Sequence, residues 1–215
     1  PLVAGFVLLW NSGFIGAEFG LADSGSLTLL FWRYVALSLL LAGWFVLRRR
    51  SPWTGARDAG LAAVTGVLAH GVWLGCVLVA IEHGVPAGIV ALVVALQPLV
   101  TGALSGAVTG EPTSARQWGG LVLGLAGVAV AVMARMDASA TVPAWGYLLP
   151  FLSVVAITIA TLLQRRREVT SRRPLPPLDV QLLHQAVATA VVLAAPAVLF
   201  EGLQTRWTPT YLGAM

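Results

Sequence analysis

Residues 27–47 read LTLLFWRYVALSLLLAGWFVL and are followed at once by three arginines, Arg48, Arg49 and Arg50. A bilayer core about 30 Å thick needs roughly 20 apolar residues in helical form, so this stretch predicts a transmembrane helix with a charged end. Stretches of the same length recur along the chain. The predicted segments are 2–22, 27–47, 59–81, 86–109, 117–134, 145–164 and 180–200, and an eighth begins at Trp207.

The composition favours the same interpretation. Hydrophobic residues make up 58% of the 215 residues and charged residues only 10%, which is not the composition of a soluble domain of this length. The sequence predicts an all-α, polytopic transmembrane helical bundle whose surroundings are the lipid bilayer. Elsewhere an excess of arginine indicates nucleic acid. Here the arginines lie in predicted loops, so we predict no nucleic-acid partner.

The arginines are unevenly divided between the two sides of the predicted bundle. The loops at 48–58, 110–116 and 165–179 hold ten of them, whereas the opposite loops and the tail hold Arg135 and Arg206. Because positively charged loops stay cytoplasmic, we predict a multi-pass protein of the inner (plasma) membrane with a cytoplasmic N-terminus. Contact with lipid headgroups or with substrate is the alternative interpretation of the arginine runs.

The order of segments divides the chain into two parts. Residues 1–134 give five helices, 135–144 form an extracytoplasmic linker, and 145–215 begin a second set. A unit of five helices is odd, so its repeat enters the membrane from the other side, and the arginine distribution agrees. Inverted-topology repeats are common in secondary transporters, where the substrate site lies near the midplane between the halves.

Several short motifs occur in a family-specific order. The chain resembles the EamA-type transporter family of the drug/metabolite transporter superfamily at Trp10-Asn11-Ser12-Gly13-Phe14, Arg33-Tyr34, Gln97-Pro98-Leu99, Gly110-Glu111 and Gln117-Trp118-Gly119. The resemblance implies ten helices in two inverted five-helix bundles and export or exchange of small metabolites or drugs. About seven complete helices of that expected ten are present. We therefore expect either a fragment or a chain that pairs with a complementing half.

Polar residues inside the predicted helices are the candidate site, since each is costly to place in hydrocarbon. Arg33 lies about 9 Å into its helix at 1.5 Å per residue. One interpretation is that Arg33 extends to the outer headgroups. The other is that it faces a cavity, pairs with Glu18, and exchanges that partner for a substrate carboxylate or phosphate.

Further candidates follow from side-chain chemistry. Asn11, Ser12 and Gln97 are expected to line the cavity, and a substrate can stack on Trp10 and Trp73. Proline frees a helical carbonyl, which predicts kinks, and histidine titrates near neutral pH, which suits a coupling proton. For each group the alternative is ordinary packing. The kink candidates are Pro98, Pro150 and Pro196, and the proton-coupling candidates are His70 and His184.

Enzymatic function is not predicted. The sequence has neither a HExxH zinc motif nor a GxxxxGK[ST] loop, and the single cysteine, Cys76, offers no disulfide or metal framework. We predict no cofactor and no metal. GxxxG pairs suit close helix packing or a homodimer. The alternative to a transporter is a membrane scaffold or inactive fragment, in which Arg33, Gln97 and His184 would not share one cavity.

Overall fold

The structure, a computed structural model, describes residues 5, 16, 19–110, 113–135, 142–171 and 174–214. Helices form most of this part of the chain. They are α1 (Ser26–Leu47), α2 (Ala56–Gly66), a π-helical segment (Val67–Val72), α3 (Trp73–Glu82), α4 (Ala87–Val94), α5 (Gln97–Thr109), α6 (Ala115–Arg135), a 3-10 turn (Ala144–Leu148), α7 (Leu149–Thr170), α8 (Leu178–Glu201) and α9 (Pro209–Ala214).

Five helical stretches among the described residues are long and apolar enough to cross a membrane. They are Ser26–Leu47, Ala56–Glu82, Ala87–Gly106, Ala144–Thr170 and Leu178–Glu201, and a shorter apolar helix spans Ala115–Ala131. The predicted polytopic helical bundle is confirmed. The first predicted segment, 2–22, lies mostly outside the described residues.

The surface of these helices is apolar. Leu40, Leu47, Leu199 and Phe200 each expose more than 70% of their area. A patch of this kind would promote aggregation in water, whereas in a bilayer the same side chains contact lipid. The exposed side chains therefore belong to a membrane-facing surface.

Two helix boundaries differ from the expectation. The sixth predicted segment ends at 164, but α7 continues through the arginines to Thr170, and within this extension the buried Arg167 forms the ion pair described below. The fourth segment is divided into α4 and α5 by a turn at Ala95 and Leu96, and Pro98 lies in the first turn of α5. Proline fits a first turn because it has no N–H to contribute there.

The core connects helices from both parts of the sequence. Helix α8 packs against α1 and α2, while α7 packs against α3 and α5. One buried cluster joins Leu29 and Leu30 of α1 to Ala186 and Leu193 of α8. A second cluster, which contains Trp73, lies between α3, α4 and α7. The helices on either side of 135–144 thus share one bundle.

Candidate functional site

The bundle has two chemically different ends. The arginine-rich end is where α1 and α7 finish and α2 begins, with Arg48, Arg57 and Arg165 close by in sequence. The opposite end is where α1 begins at Ser26 and where α3 and α8 finish. Polar contacts between helices concentrate at both ends and at one level between them.

A cavity of about 300 Å³ opens at the arginine-rich end and runs between α2, α7 and α8. Apolar side chains form part of its wall. Its polar lining residues include Asp58, Thr65, Gln164, Arg167, Gln181 and Gln185. A cavity of this size, with a few convergent polar groups, is what a small-ligand site in a helical bundle requires.

The deep end of this cavity is connected to a histidine on the π-helical segment. The side-chain Oε1 of Gln185 lies 3.3 Å from His70 Nε2. An amide oxygen only accepts hydrogen bonds, so Nε2 donates and carries the hydrogen. The ring of Tyr34 packs on His70 with centroids 5.3 Å apart. Side chains of α1, the π-helical segment and α8 therefore meet inside the bundle.

The backbone geometry of α2 permits this meeting. A side-chain carbon added at Gly66 would lie 2.5 Å from the Cα of Gln185. Helices α2 and α8 cross at that point with only glycine between their backbones, and close approach of this kind depends on a small residue. The π-helical turn that follows widens the helix locally, and such turns often occur at functional sites.

An ion pair stands at the mouth of the cavity. Arg167 Nε and Nη2 lie 3.1 and 2.9 Å from Asp58 Oδ1, and only 8% of the Arg167 side chain is exposed. The same two residues also line a second cavity of about 610 Å³ nearer the arginine-rich loops. The ion pair thus lies between the two cavities and holds the start of α2 against the end of α7.

Polar contacts join two turns at the opposite end. Arg206 donates from its backbone N–H to the carbonyl of Asp23 at 2.9 Å and approaches the Asp23 carboxylate at 3.6 Å. Thr208 donates to the same carboxylate at 2.6 Å. These contacts bind the turn before α1 to the turn after α8.

Arg33 lies on α1, half-buried, away from the cavity. Its Nη2 donates to the carbonyl of Ala214 in α9, and its Nε has no partner among the described residues. Glu18 lies outside the described residues, as do Trp10, Asn11 and Ser12, so the expected Arg33–Glu18 pair stays a prediction.

The other predicted residues have separate neighbours. Gln97 donates to Thr101 at 3.1 Å, and Thr101 lies 3.4 Å from Thr158 of α7. His184 Nδ1 bonds the carbonyl of Val180, near the ring of Trp53. Trp73 is buried in an apolar cluster. Pro150 lies in the first turn of α7 and Pro196 lies within α8.

Sequence reasoning missed three residues that the structure places at key positions. Gln185 lies beside the predicted His184 on α8. Ala186, Thr189 and Ala190 are buried, and Gln185 lies on the same inward face of the helix. Glu82 and Glu201 each end a helix, where a negative charge opposes the helix dipole. A glutamate at the last position of a helix, where the dipole of that helix disfavours its charge, is the sequence signal that could have identified both residues.

These features define a multi-pass helical membrane protein with a polar cavity between its helices. Residues 1–133 match the EamA-like transporter family, and the chain belongs to that family.

The similar proteins include the uncharacterized inner membrane transporter YedA of Escherichia coli K12, at 30% identity over 149 residues. YedA of Escherichia coli O6:H1 and of O157:H7 matches equally. The match covers 69% of this chain and 47% of each relative, so the chain spans about half the length of the curated relatives it matches. No solved structure matches.

Proposed function

We propose that this chain forms part of a secondary transporter of small polar metabolites or drugs, an exporter or exchanger in the inner membrane. The observation that carries the proposal is the cavity at the arginine-rich end, which reaches Gln185, together with the polar contacts that join helix ends at the opposite end. That combination is one of the two forms that alternating access requires. Family membership and the name of the YedA relatives support the same class.

The roles within the proposal follow from position. Gln185, whose oxygen accepts from His70, offers its amide N–H groups to a substrate in the cavity, and the Thr65 hydroxyl, which donates to its own helix, offers an acceptor oxygen. His70 is the candidate for a coupling proton, because it contacts the cavity-lining Gln185 and an imidazole can take up and release a proton. The arginine-rich end faces the cytoplasm under the positive-inside rule. The two parts of the chain belong to inverted five-helix halves of a larger assembly, completed by further helices or a second polypeptide.

One observation favours the scaffold alternative. Among the described residues, Arg33, Gln97 and His184 each bond a different neighbour, and none of them lines the cavity at the arginine-rich end. The cavity is instead lined by Gln164, Gln181 and Gln185. Three amide side chains around an open space are costly in a membrane unless something polar occupies that space, which supports the transporter.

Metabolite profiling of the medium tests the function. Cells that express the chain should accumulate specific solutes outside, and Gln185→Leu should reduce them to the level of empty cells. Leucine keeps the volume of the side chain but leaves His70 Nε2 without its acceptor and removes a polar group from the cavity. The amount of chain in the membrane fraction is measured in parallel.

Gln117→Leu is the matched control. Gln117 is exposed at the start of α6 and bonds Ser114, so its loss should leave accumulation unchanged. Equal accumulation with Gln185→Leu would exclude the proposed site. Absence of any chain-dependent solute, both with this chain alone and with a version extended to ten helices, would favour the scaffold.

A further inference from the structure

Two glutamates from different helices bind the N-terminus of α1. Glu82 Oε2 accepts from the N–H and hydroxyl of Ser26 at 3.3 and 2.5 Å. Glu201 accepts from the N–H of Leu27 at 3.0 Å and from that of Thr28 at 2.7 Å, through separate oxygens. The first three N–H groups of α1, which have no partner inside the helix, are all satisfied by these two carboxylates.

The dipole of its own helix does not favour either glutamate at its position. Glu82 is the last residue of α3 and Glu201 the last residue of α8, where the helix dipole disfavours a negative charge. Among the described residues neither has an ion-pair partner. The positive end of the α1 dipole therefore supplies the compensating charge, and the arrangement is stable only while the three helix ends stay together.

The fit is tight at one glycine. A side-chain carbon added at Gly25, immediately before α1, would collide with the carboxylate of Glu201. Below the two carboxylates Ser26 and Thr28 are fully buried, while on the other side the carboxylates line a cavity of about 710 Å³ at the opposite end. The glutamates thus separate that cavity from the interior of the bundle.

We propose that Glu82 and Glu201 are the gate of the opposite end, and that this end opens when α1 leaves the two carboxylates. The inference rests on the proposed alternating access. In the described form the glutamates hold α1 against α3 and α8 and exclude water from Thr28. Once α1 moves away, the carboxylates and the free N–H groups become hydrated and the cavity joins the interior.

Thiol accessibility tests the gate. In a Cys76→Ser background, Thr28→Cys places one reporter thiol behind the gate without altering the backbone N–H that Glu201 binds. A membrane-impermeant maleimide is added to intact cells and, separately, to inside-out vesicles. The Thr28→Cys parent should react slowly both in intact cells and in vesicles. Glu201→Gln should raise the labelling rate in intact cells, where the reagent reaches the end of the bundle opposite the arginines.

Glu201→Gln keeps the shape of the side chain but removes one of its two acceptor oxygens. A glutamine has one acceptor oxygen for the two N–H groups of Leu27 and Thr28, so one hydrogen bond is lost together with the charge. Loss of one charge-assisted bond predicts a labelling rate roughly tenfold higher. Glu82→Gln should have a smaller effect, because Glu82 uses a single oxygen that glutamine retains. Asp179→Asn, at the other end of α8, is the control and should stay within about twofold of the parent.

A second variant tests the gate if the Glu201→Gln protein fails to insert into the membrane. Gly25→Ala displaces the Glu201 carboxylate without removing its charge and should also speed labelling, whereas Gly43→Ala meets nothing within 4 Å and should not. Unchanged labelling in both Glu201→Gln and Gly25→Ala would overturn the gate. If transport depends on Gln185 while the gate variants are silent, the proposed function stands and only the gate fails.

Discussion

At the residue scale, a shift of one position along a helix separates the prediction from the structure. His184 was a candidate because of its chemistry, but successive residues of an α-helix point about 100° apart. The adjacent Gln185 therefore faces the cavity and His70, while His184 bonds its own helix. His70 was a candidate from the sequence as well, and what the sequence could not supply was its contact with Gln185, since that depends on how α2 and α8 cross.

The Asp58–Arg167 ion pair gives a prediction for stability. Asp58→Asn removes the carboxylate charge that faces the nearly buried Arg167 guanidinium, and weakening such a pair should lower the free energy of unfolding by about 3 kcal/mol. Titration with a denaturing detergent in mixed micelles measures it. Arg50→Gln breaks the Arg50–Asp179 pair, in which Arg50 is 51% exposed, and should cost only about 0.5 kcal/mol. Equal losses in the two variants would contradict a structural role for Asp58.

At the element scale, hydropathy and loop charge were enough to predict the helices. The described spans agree with the predicted segments to within a few residues at most ends. The exceptions have tertiary causes. Helix α7 continues beyond the apolar residues to the position where Arg167 pairs with Asp58. Nothing in the apolar stretch around 67–72 indicates a π-helical segment. Such features depend on contacts between helices, which hydropathy does not record.

The crossing of α2 and α8 at Gly66 predicts stability changes of opposite sign when alanine replaces two different glycines of α2. Gly66→Ala puts a methyl group against the backbone of Gln185 and should lower the free energy of unfolding by about 1–3 kcal/mol. Gly60→Ala, on the same helix with nothing within 4 Å, should raise it by roughly 0.5–1 kcal/mol. Thermal unfolding in detergent compares the two, and a stabilised Gly66→Ala would rule out the close crossing.

At the scale of the whole molecule, polar groups bind the helices at two ends. Asp58 and Arg167 join α2 to α7 beside the cavity, while Glu82 and Glu201 join α3 and α8 to α1 at the opposite end. The sequence predicted the bundle and the arginine asymmetry but not these junctions, because each pairs residues more than 50 positions apart. The proposed transport cycle opens one end at a time.

The most direct test is whether the cavity reaches the interior from the arginine-rich end. Leu61 lines the cavity one helical turn before Thr65 and is partly exposed, so Leu61→Cys in the Cys76→Ser background is the reporter. An impermeant maleimide should label it in inside-out vesicles, where Thr28→Cys should stay unreactive. Labelling only in intact cells would reverse the orientation, and a Leu61→Cys that is unreactive from both sides would contradict the transporter account.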